Sequence, residues 1–337
     1  MAYTVTDLAT AQAKLTAAFA SSELRADDNA TFKAYLLNSE IMFPGYRELK
    51  TSDTRGINAY FKNRSTRSLG SSREHDHTGT QGTSGVLAPS WVSYADDFAI
   101  SLKQGDTNVF NHAEQLQNEV DNVYLNFNTG LEQAAVDHLF ANRSGVNGIT
   151  VEGTFNGTKD AFEVTDATNG DRFVQIVKST MQALNYKGIT LFCDTIAFNK
   201  FEKEAAQGAQ NSTNLSFQFG GVKYVHSLGL NAEASTLVYS KGFCIAVPDG
   251  TIAALPWIPV QNRAGVVTSV DTFTSAISPF DGQSYAVHMY ETRVDGVATG
   301  GQKQDVMSEF EFSIDVAFEN APLSNAGEST LQAFALI

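Results

Sequence analysis

Between residues 109 and 139 the apolar positions Val109, Ala113, Leu116, Val120, Val123, Phe127, Leu131, Ala134 and Leu139 fall three, four or, once, five apart. That spacing places them on one face of an α-helix. Thr107 or Asn108 can cap its start, and Asn142 to Gly145 can stop it. Such a helix has ~33 residues and runs about 50 Å at 1.5 Å per residue. A globule of this chain's 337 residues has a radius of gyration near ~20 Å, so the helix would run about its full width. An extended or flat molecule is expected. A dimeric coiled coil is the alternative, but the run covers fewer than about five heptads and has Gly130 inside it.

A second pattern has period two. Phe310, Phe312, Ile314, Val316 and Phe318 alternate with Glu309, Glu311, Ser313, Asp315, Ala317 and Glu319. This predicts a long strand with one apolar face and one mostly acidic face. The antiparallel partner is expected at 285–294, joined through the Gly-rich loop at 295–304.

Between these landmarks, 149–164 reads as a hairpin turning at Asn156-Gly157. Helices are expected at 171–186 and 195–207, a buried strand at 189–193, and strand-like runs at 215–219, 222–228, 236–239 and 243–247. Helices packed on a sheet follow from that mixture. Residues 5–38 read as two short helices carrying Leu8, Leu15 and Phe19, then Phe32, Tyr35 and Leu36, too small for a core of their own. The stretch from Phe43 to about Gln104 is polar and Gly-rich. Residues 44–90 hold seven basic and four acidic side chains, net +3, which leaves −17 for the rest of a chain of −14. A cationic arm on an acidic body is expected to dock on a neighbouring copy. No fixed-period repeat occurs, which argues against solenoids and propellers.

The acidic balance, 37 Asp+Glu against 23 Lys+Arg, excludes a cationic nucleic-acid clamp. Apolar residues make up 42% of the chain and charged ones 18%, enough for a core under a neutral polar surface that other proteins can bury cheaply. The first 25 residues lack a basic start and an apolar run, and nowhere do ~18 apolar residues run together; neither export by that route nor a membrane span is expected. Cys193 and Cys244 lie in apolar strand-like runs and are expected as buried free thiols in a reducing compartment, without a disulfide framework.

Candidate chemistry is sparse. His75-Asp76-His77 has metal-ligating side chains but no identifiable third or fourth ligand, and an interface loop is the competing reading. Glu114 and Glu119 with His112 and His138 form no Glu-x-x-His pair and read as the helix's wet face. No Gly-x-Ser-x-Gly or Gly-Lys-Ser/Thr element occurs, Cys193-Asp194 has no adjacent base, and Gly220-Gly221 and Gly300-Gly301 read as turns. No catalytic residue, metal or cofactor is expected, and the chain does not read as an enzyme.

The order of parts, with Ser90-Trp91-Val92-Ser93-Tyr94-Ala95-Asp96-Asp97-Phe98 leading toward the long helix, Tyr239 to Phe243 running on through Ala254-Leu255-Pro256-Trp257-Ile258-Pro259, and the closing run from Ser308 to Phe318, resembles the major capsid proteins of tailed double-stranded-DNA bacteriophages. The resemblance implies an α+β, Hong Kong 97-like capsid fold. Its parts would be an N-terminal arm at 1–45, an extended loop at 46–105, a peripheral domain made of a spine helix and hairpin at 106–165, an axial domain at 166–269, and returning long strands of the peripheral domain at 270–337.

The resemblance further implies self-assembly into hexamers and pentamers of an icosahedral capsid that encloses the double-stranded DNA genome without tight binding. It places the protein in the virion, assembled in the host bacterial cytoplasm. Because Met1 starts the arm directly, a scaffolding protein would be a separate chain; portal and decoration or head-fibre proteins would be further partners. Candidate intersubunit residues are Arg47, Lys50, Arg55, Lys62, Arg64, Arg67 and Arg73. Leu116, Val120, Val123 and Phe127 are expected to pack against Phe310, Phe312, Ile314, Val316 and Phe318. An encapsulin-type nanocompartment shell is the alternative within the fold; a metal-dependent hydrolase built on His75, Asp76 and His77 is the alternative outside it.

Overall fold

The structure, a computed structural model, describes residues 3–20, 29–62, 82–101, 112–143, 153–184, 186, 188–205, 216–219, 221–295, 304–322 and 329–337. The apolar periodicity of 109–139 forms one helix, α4 (His112–Ala141), of 30 residues. Val109 and the expected N-caps lie outside the described residues. Before it come α1 (Val5–Ala20), α2 (Ala30–Met42), the short α3 (Tyr46–Leu49), the ribbon β1 (Ala59–Lys62) and β2 (Ser84–Leu87), and β3 (Val92–Ser101).

Two larger sheets flank α4. The first is centred on β13 (Gln304–Asn320). On one flank β13 pairs β3 over 307–316. On its other flank it pairs β12 (Ser284–Asp295) over 304–313 and β10 (Ile252–Trp257) over 315–320. β11 (Asp271–Ile277) completes this sheet beside β12. All these pairings are antiparallel. The second sheet runs β4 (Thr154–Asn156), β5 (Ala161–Val164), β14 (Gln332–Leu336), β9 (Phe243–Pro248), β6 (Ile189–Cys193), β8 (Val222–His226) and β7 (Ser216–Phe219). Its β5·β14 and β6·β8 pairs are parallel.

One face of the seven-stranded sheet is covered by α6 (Phe173–Ala183) and α7 (Thr195–Ala205), with Phe173, Ile176, Met181 and Phe201 buried against Leu191, Tyr224 and Phe334. Its other face joins the main core, shared with α1, α2, α4 and α8 (Gly229–Thr236). The last turns of α4 reach this sheet and α8: Phe140 meets Phe243 edge-on at 6.4 Å, and a Cβ on Gly229 of α8 would lie 3.0 Å from Val136. The middle of α4 instead packs on the β13 sheet, through Tyr124 against Phe312 and Phe127 against Tyr285. A single helix therefore spans both sheets.

Several expectations are corrected. Residues 236–239 are no strand; they end α8 and turn the chain, since apolar alternation over four residues does not separate a strand from a helix end. The hairpin turn takes four residues, with Asn156 Oδ1 accepting the N–H groups of Thr158 and Lys159 and Asp160 at φ 46°. The stretch 92–101 is the strand β3, paired with β13.

Neighbouring segments of the chain contribute to different sheets. The hairpin at 154–164 and β14 lie in the seven-stranded sheet, whereas β10, inside 166–269, lies in the β13 sheet. Strand pairing is long-range and follows edge complementarity rather than chain position. Finally, the acidic face of β13 is wet at Glu311 but covered further along, where Asp315 meets Arg55 and Glu319 is buried.

Candidate assembly interface

A surface that meets other copies has to be presented by a rigid subunit, so what holds the N-terminal arm matters first. Polar contacts hold α2 on α4. Asn29 Nδ2 donates to Asn128 Oδ1 at 2.6 Å. The two oxygens of Glu132 accept the N–H groups of Thr31 (3.2 Å) and Phe32 (2.8 Å). These are unpaired donors of the first helical turn, and a carboxylate there also meets the positive end of the helix dipole. Three residues further along α2, Tyr35 Oη lies 2.8 Å from His138 Nδ1. Burial holds the His138 imidazole down at about 4, and burial, with Glu132 nearby, pushes the Tyr35 phenol up. His138 is thus part of a buried contact rather than the wet helix face expected. The arm belongs to the core of its own subunit.

The segment that follows α2 is anchored too. Arg55 lies 3.1 Å from Asp315 on β13, with its guanidinium 5.9 Å from the ring of Trp91 and 5.3 Å from that of Trp257. Trp257 Nε1 donates to the Ser52 carbonyl at 3.2 Å. Arg263 in α9 (Val260–Ala264) donates to the carbonyls of Lys50 and Ser52. Beneath these, Phe43, Tyr46, Leu49 and Ala59 form a small core with Ala253, Leu255 and Ala317, and burial raises the Tyr46 phenol to about 12.

Of the residues singled out as intersubunit contacts, Arg47 pairs with Glu40 through two nitrogens at 2.8 and 2.9 Å, which lowers the Glu40 carboxyl. Arg55 is committed to Asp315, and Lys50 lies over the Tyr46 ring at 5.1 Å. Arg47 and Arg55 thus each have an acidic partner within the chain. Counting charges along the sequence could not reveal acidic partners that folding brings close. Lys62 is exposed at the end of β1. Arg64, Arg67 and Arg73, like His75, Asp76 and His77, lie outside the described residues.

Beyond that segment the β1–β2 ribbon carries Tyr60 directly opposite Val86, 78% and 58% exposed. A two-stranded ribbon is marginal by itself in water, and here it presents an exposed cross-strand apolar pair. A second exposed apolar group lies beyond the C-terminal ends of β6 and β8: Ile196, Leu228 and Val238. Val238 is 80% exposed at φ 60°, a conformation rare for a β-branched residue. Periodicity gave no sign of it, because the strain is a property of the folded turn.

Leu116, Val120, Val123 and Phe127 are buried in one cluster with Phe310, Phe312, Ile314 and Val316, and half-buried Phe318 packs on its border. Phe98 of β3 inserts beside them, stacked 4.8 Å from Phe310.

The polar clusters elsewhere have structural tasks. Asp194 accepts the Ala197 N–H at 2.7 Å and caps α7, its carboxyl raised by burial. Thr195 Oγ1 contacts His226 Nε2 at 3.0 Å while accepting from Asn231 Nδ2. This ties α7 to α8, with the imidazole packed on Phe198. No group of three or more His, Cys, Asp or Glu capable of holding a metal ion occurs among the described residues. Cys193 and Cys244 are free, buried and directly opposite each other on β6 and β9. No helix among the described residues is long and apolar enough to cross a membrane.

Known folds place this architecture. No family model matches the chain, and no curated protein matches it. The chain is similar in structure to the capsid asymmetric unit of cyanophage Pam1 (TM-score 0.52, 11% identity, 93% of each chain covered) and to that of cyanophage A-1(L) (TM-score 0.51, 10% identity, 92% of this chain and 93% of the other). At these identities the likeness is one of fold, and it covers nearly the whole of each chain. The fold is the α+β capsid fold of bacteriophages.

Proposed function

We propose that this chain is the major capsid protein of a tailed double-stranded-DNA bacteriophage, a structural protein that assembles with copies of itself into hexamers and pentamers of an icosahedral shell. The observation that carries this reading is the whole-length similarity to cyanophage capsid chains. An exposed apolar ribbon on a tightly anchored base and a neutral polar composition support it. The shell encloses duplex DNA in the virion, and the net charge of −14 favours confinement over grip, since tight duplex binding requires many cationic contacts. Assembly takes place in the host bacterial cytoplasm, with scaffolding, portal and decoration or head-fibre proteins as further partners. Nothing in the reading requires catalysis.

Electron microscopy and sedimentation of the concentrated full-length protein test it. Rings of five and six subunits and curved, closed shells are expected. A folded protein that stays monomeric at every concentration reached, with and without a crowding polymer, overturns it.

A further inference from the structure

Arg263 and Lys50 both line a cleft of about 220 Å³, together with Pro256, Trp257, Ser275 and Gln283. No Asp or Glu among the described residues lines it. The two terminal nitrogens of Arg263 are held by the backbone carbonyls of Lys50 and Ser52, so its guanidinium is fixed in place without an acidic partner among the described residues. Its Nε–H is buried and has no acceptor there. The contrast across Trp257 is sharp: Arg55 near the same indole has Asp315 at 3.1 Å, whereas Arg263, 5.8 Å from that ring, has carbonyl dipoles alone. Lys50 is exposed and makes no ion pair among the described residues. Two positive charges and the side chain of Gln283, whose Nε2 donates to the Asp281 carbonyl at 3.3 Å, thus border a space smaller than the ~300 to 1,000 Å³ typical of organic-ligand pockets. It suits one acidic side chain.

We propose that this cleft receives a carboxylate side chain from a second copy of the chain. The inference rests on the capsid reading, which brings copies edge to edge, and on charge complementarity: a chain with 37 acidic and 23 basic residues has a surplus of carboxylates to present. Entry of one carboxylate neutralises a preorganised cationic wall, and charge-assisted contacts to a fixed guanidinium exceed those of exposed pairs. The cleft borders Lys50, at the foot of the extended loop, so its occupancy would couple that loop's anchor to a neighbour.

Gln283→Glu tests this with a nearly isosteric change, because it supplies the missing carboxylate from the chain itself; Lys50→Glu reverses one wall charge. Subunit folding is followed by thermal unfolding, and particle yield by sedimentation and microscopy, beside the wild type. Expected are folded subunits for both variants, a raised thermal midpoint for Gln283→Glu, and particle yields reduced at least about threefold in both. Sodium acetate should lower the wild-type yield more than sodium chloride of equal ionic strength. Folded variants with wild-type particle yields overturn the proposal, as does stabilisation of the wild type by acetate with assembly untouched, which would assign the cleft to a free anion. Wild-type protein that forms no particles overturns the capsid reading instead, a result visible in the same experiment.

Discussion

The hydroxyl of Ser39 accepts the backbone N–H of Ala254 at 3.0 Å and lies 2.8 Å from the carbonyl of the same residue. Ala254 sits in β10, on the margin of the β13 sheet opposite its pairing with β13. A helix side chain thus does for an edge strand what a further strand would do. One residue earlier, Asn38 Oδ1 accepts the Gly250 N–H at 2.7 Å. An open edge invites pairing with other chains, and α2 closes this one.

Ser39→Ala leaves the buried Ala254 N–H without an acceptor, at a cost of about 1 to 3 kcal/mol. A lowered thermal midpoint and greater aggregation on heating are expected. Wild-type values for both would show that water replaces the hydroxyl at no cost.

His138 makes the arm's attachment sensitive to acid. Its folded value of about 4 lies below the ordinary 6.5, so between these values the unfolded chain binds a proton that the native one does not. The stabilisation is complete above about pH 6.5 and is lost as pH falls toward 4, up to roughly 3 kcal/mol. Buried Asp194 and Glu319, whose carboxyls are raised by burial, act with the opposite sign, so the measurement is a difference. The thermal midpoint of His138→Gln should fall less than that of the wild type between pH 7 and 5; parallel curves would remove His138 from the account.

Phe312 is fully buried and touches Tyr124 and Phe98, whereas Glu311 beside it is exposed. Phe312→Ala should cost ~3 to 5 kcal/mol, a large share of the ~5 to 15 that holds a domain folded. Insoluble or unassembled protein is expected from it, and a normal thermal midpoint from Glu311→Ala. Equal behaviour would contradict the facing of β13.

The arginines divide into two classes by expected effect. Arg55→Ala should loosen the loop anchor and lower subunit stability by about 1 kcal/mol or more through lost Trp91, Trp257 and Asp315 contacts. Reversing Arg64, Arg67 and Arg73 together to Glu should leave the subunit midpoint unchanged while reducing particle yield, because these side chains are proposed to cross subunit boundaries. Unfolding scans and sedimentation of both proteins separate the cases, and unchanged yield and salt sensitivity in the triple variant would reject the second.

Helix α4 and strand β13 were legible because each repeats a single period over many residues, so chance apolar positions average out. Strand β3 was not. It shows Tyr94, Phe98 and Ile100 on the inner face, but Asp96 stands among them, and that residue accepts from Asn126 of α4 at 2.9 Å. A polar residue satisfied by a distant partner breaks a pattern that local reading depends on. The same limit hid the interface chemistry: the roles of Glu132, His138, Asp315 and Arg263 are set by groups about 100 to 260 positions away.

Gly130 sits on the exposed side of α4, with no atom within 4 Å of where its Cβ would be. On one side of it Phe127 meets Tyr285 of the β13 sheet; on the other Phe140 meets Phe243 of the seven-stranded sheet and Val136 lies against Gly229 of α8. Glycine is the weakest helix former after proline. Helix α4 is therefore held at both ends with one weak helix former between the two holds, and any bending of one sheet against the other concentrates at that residue.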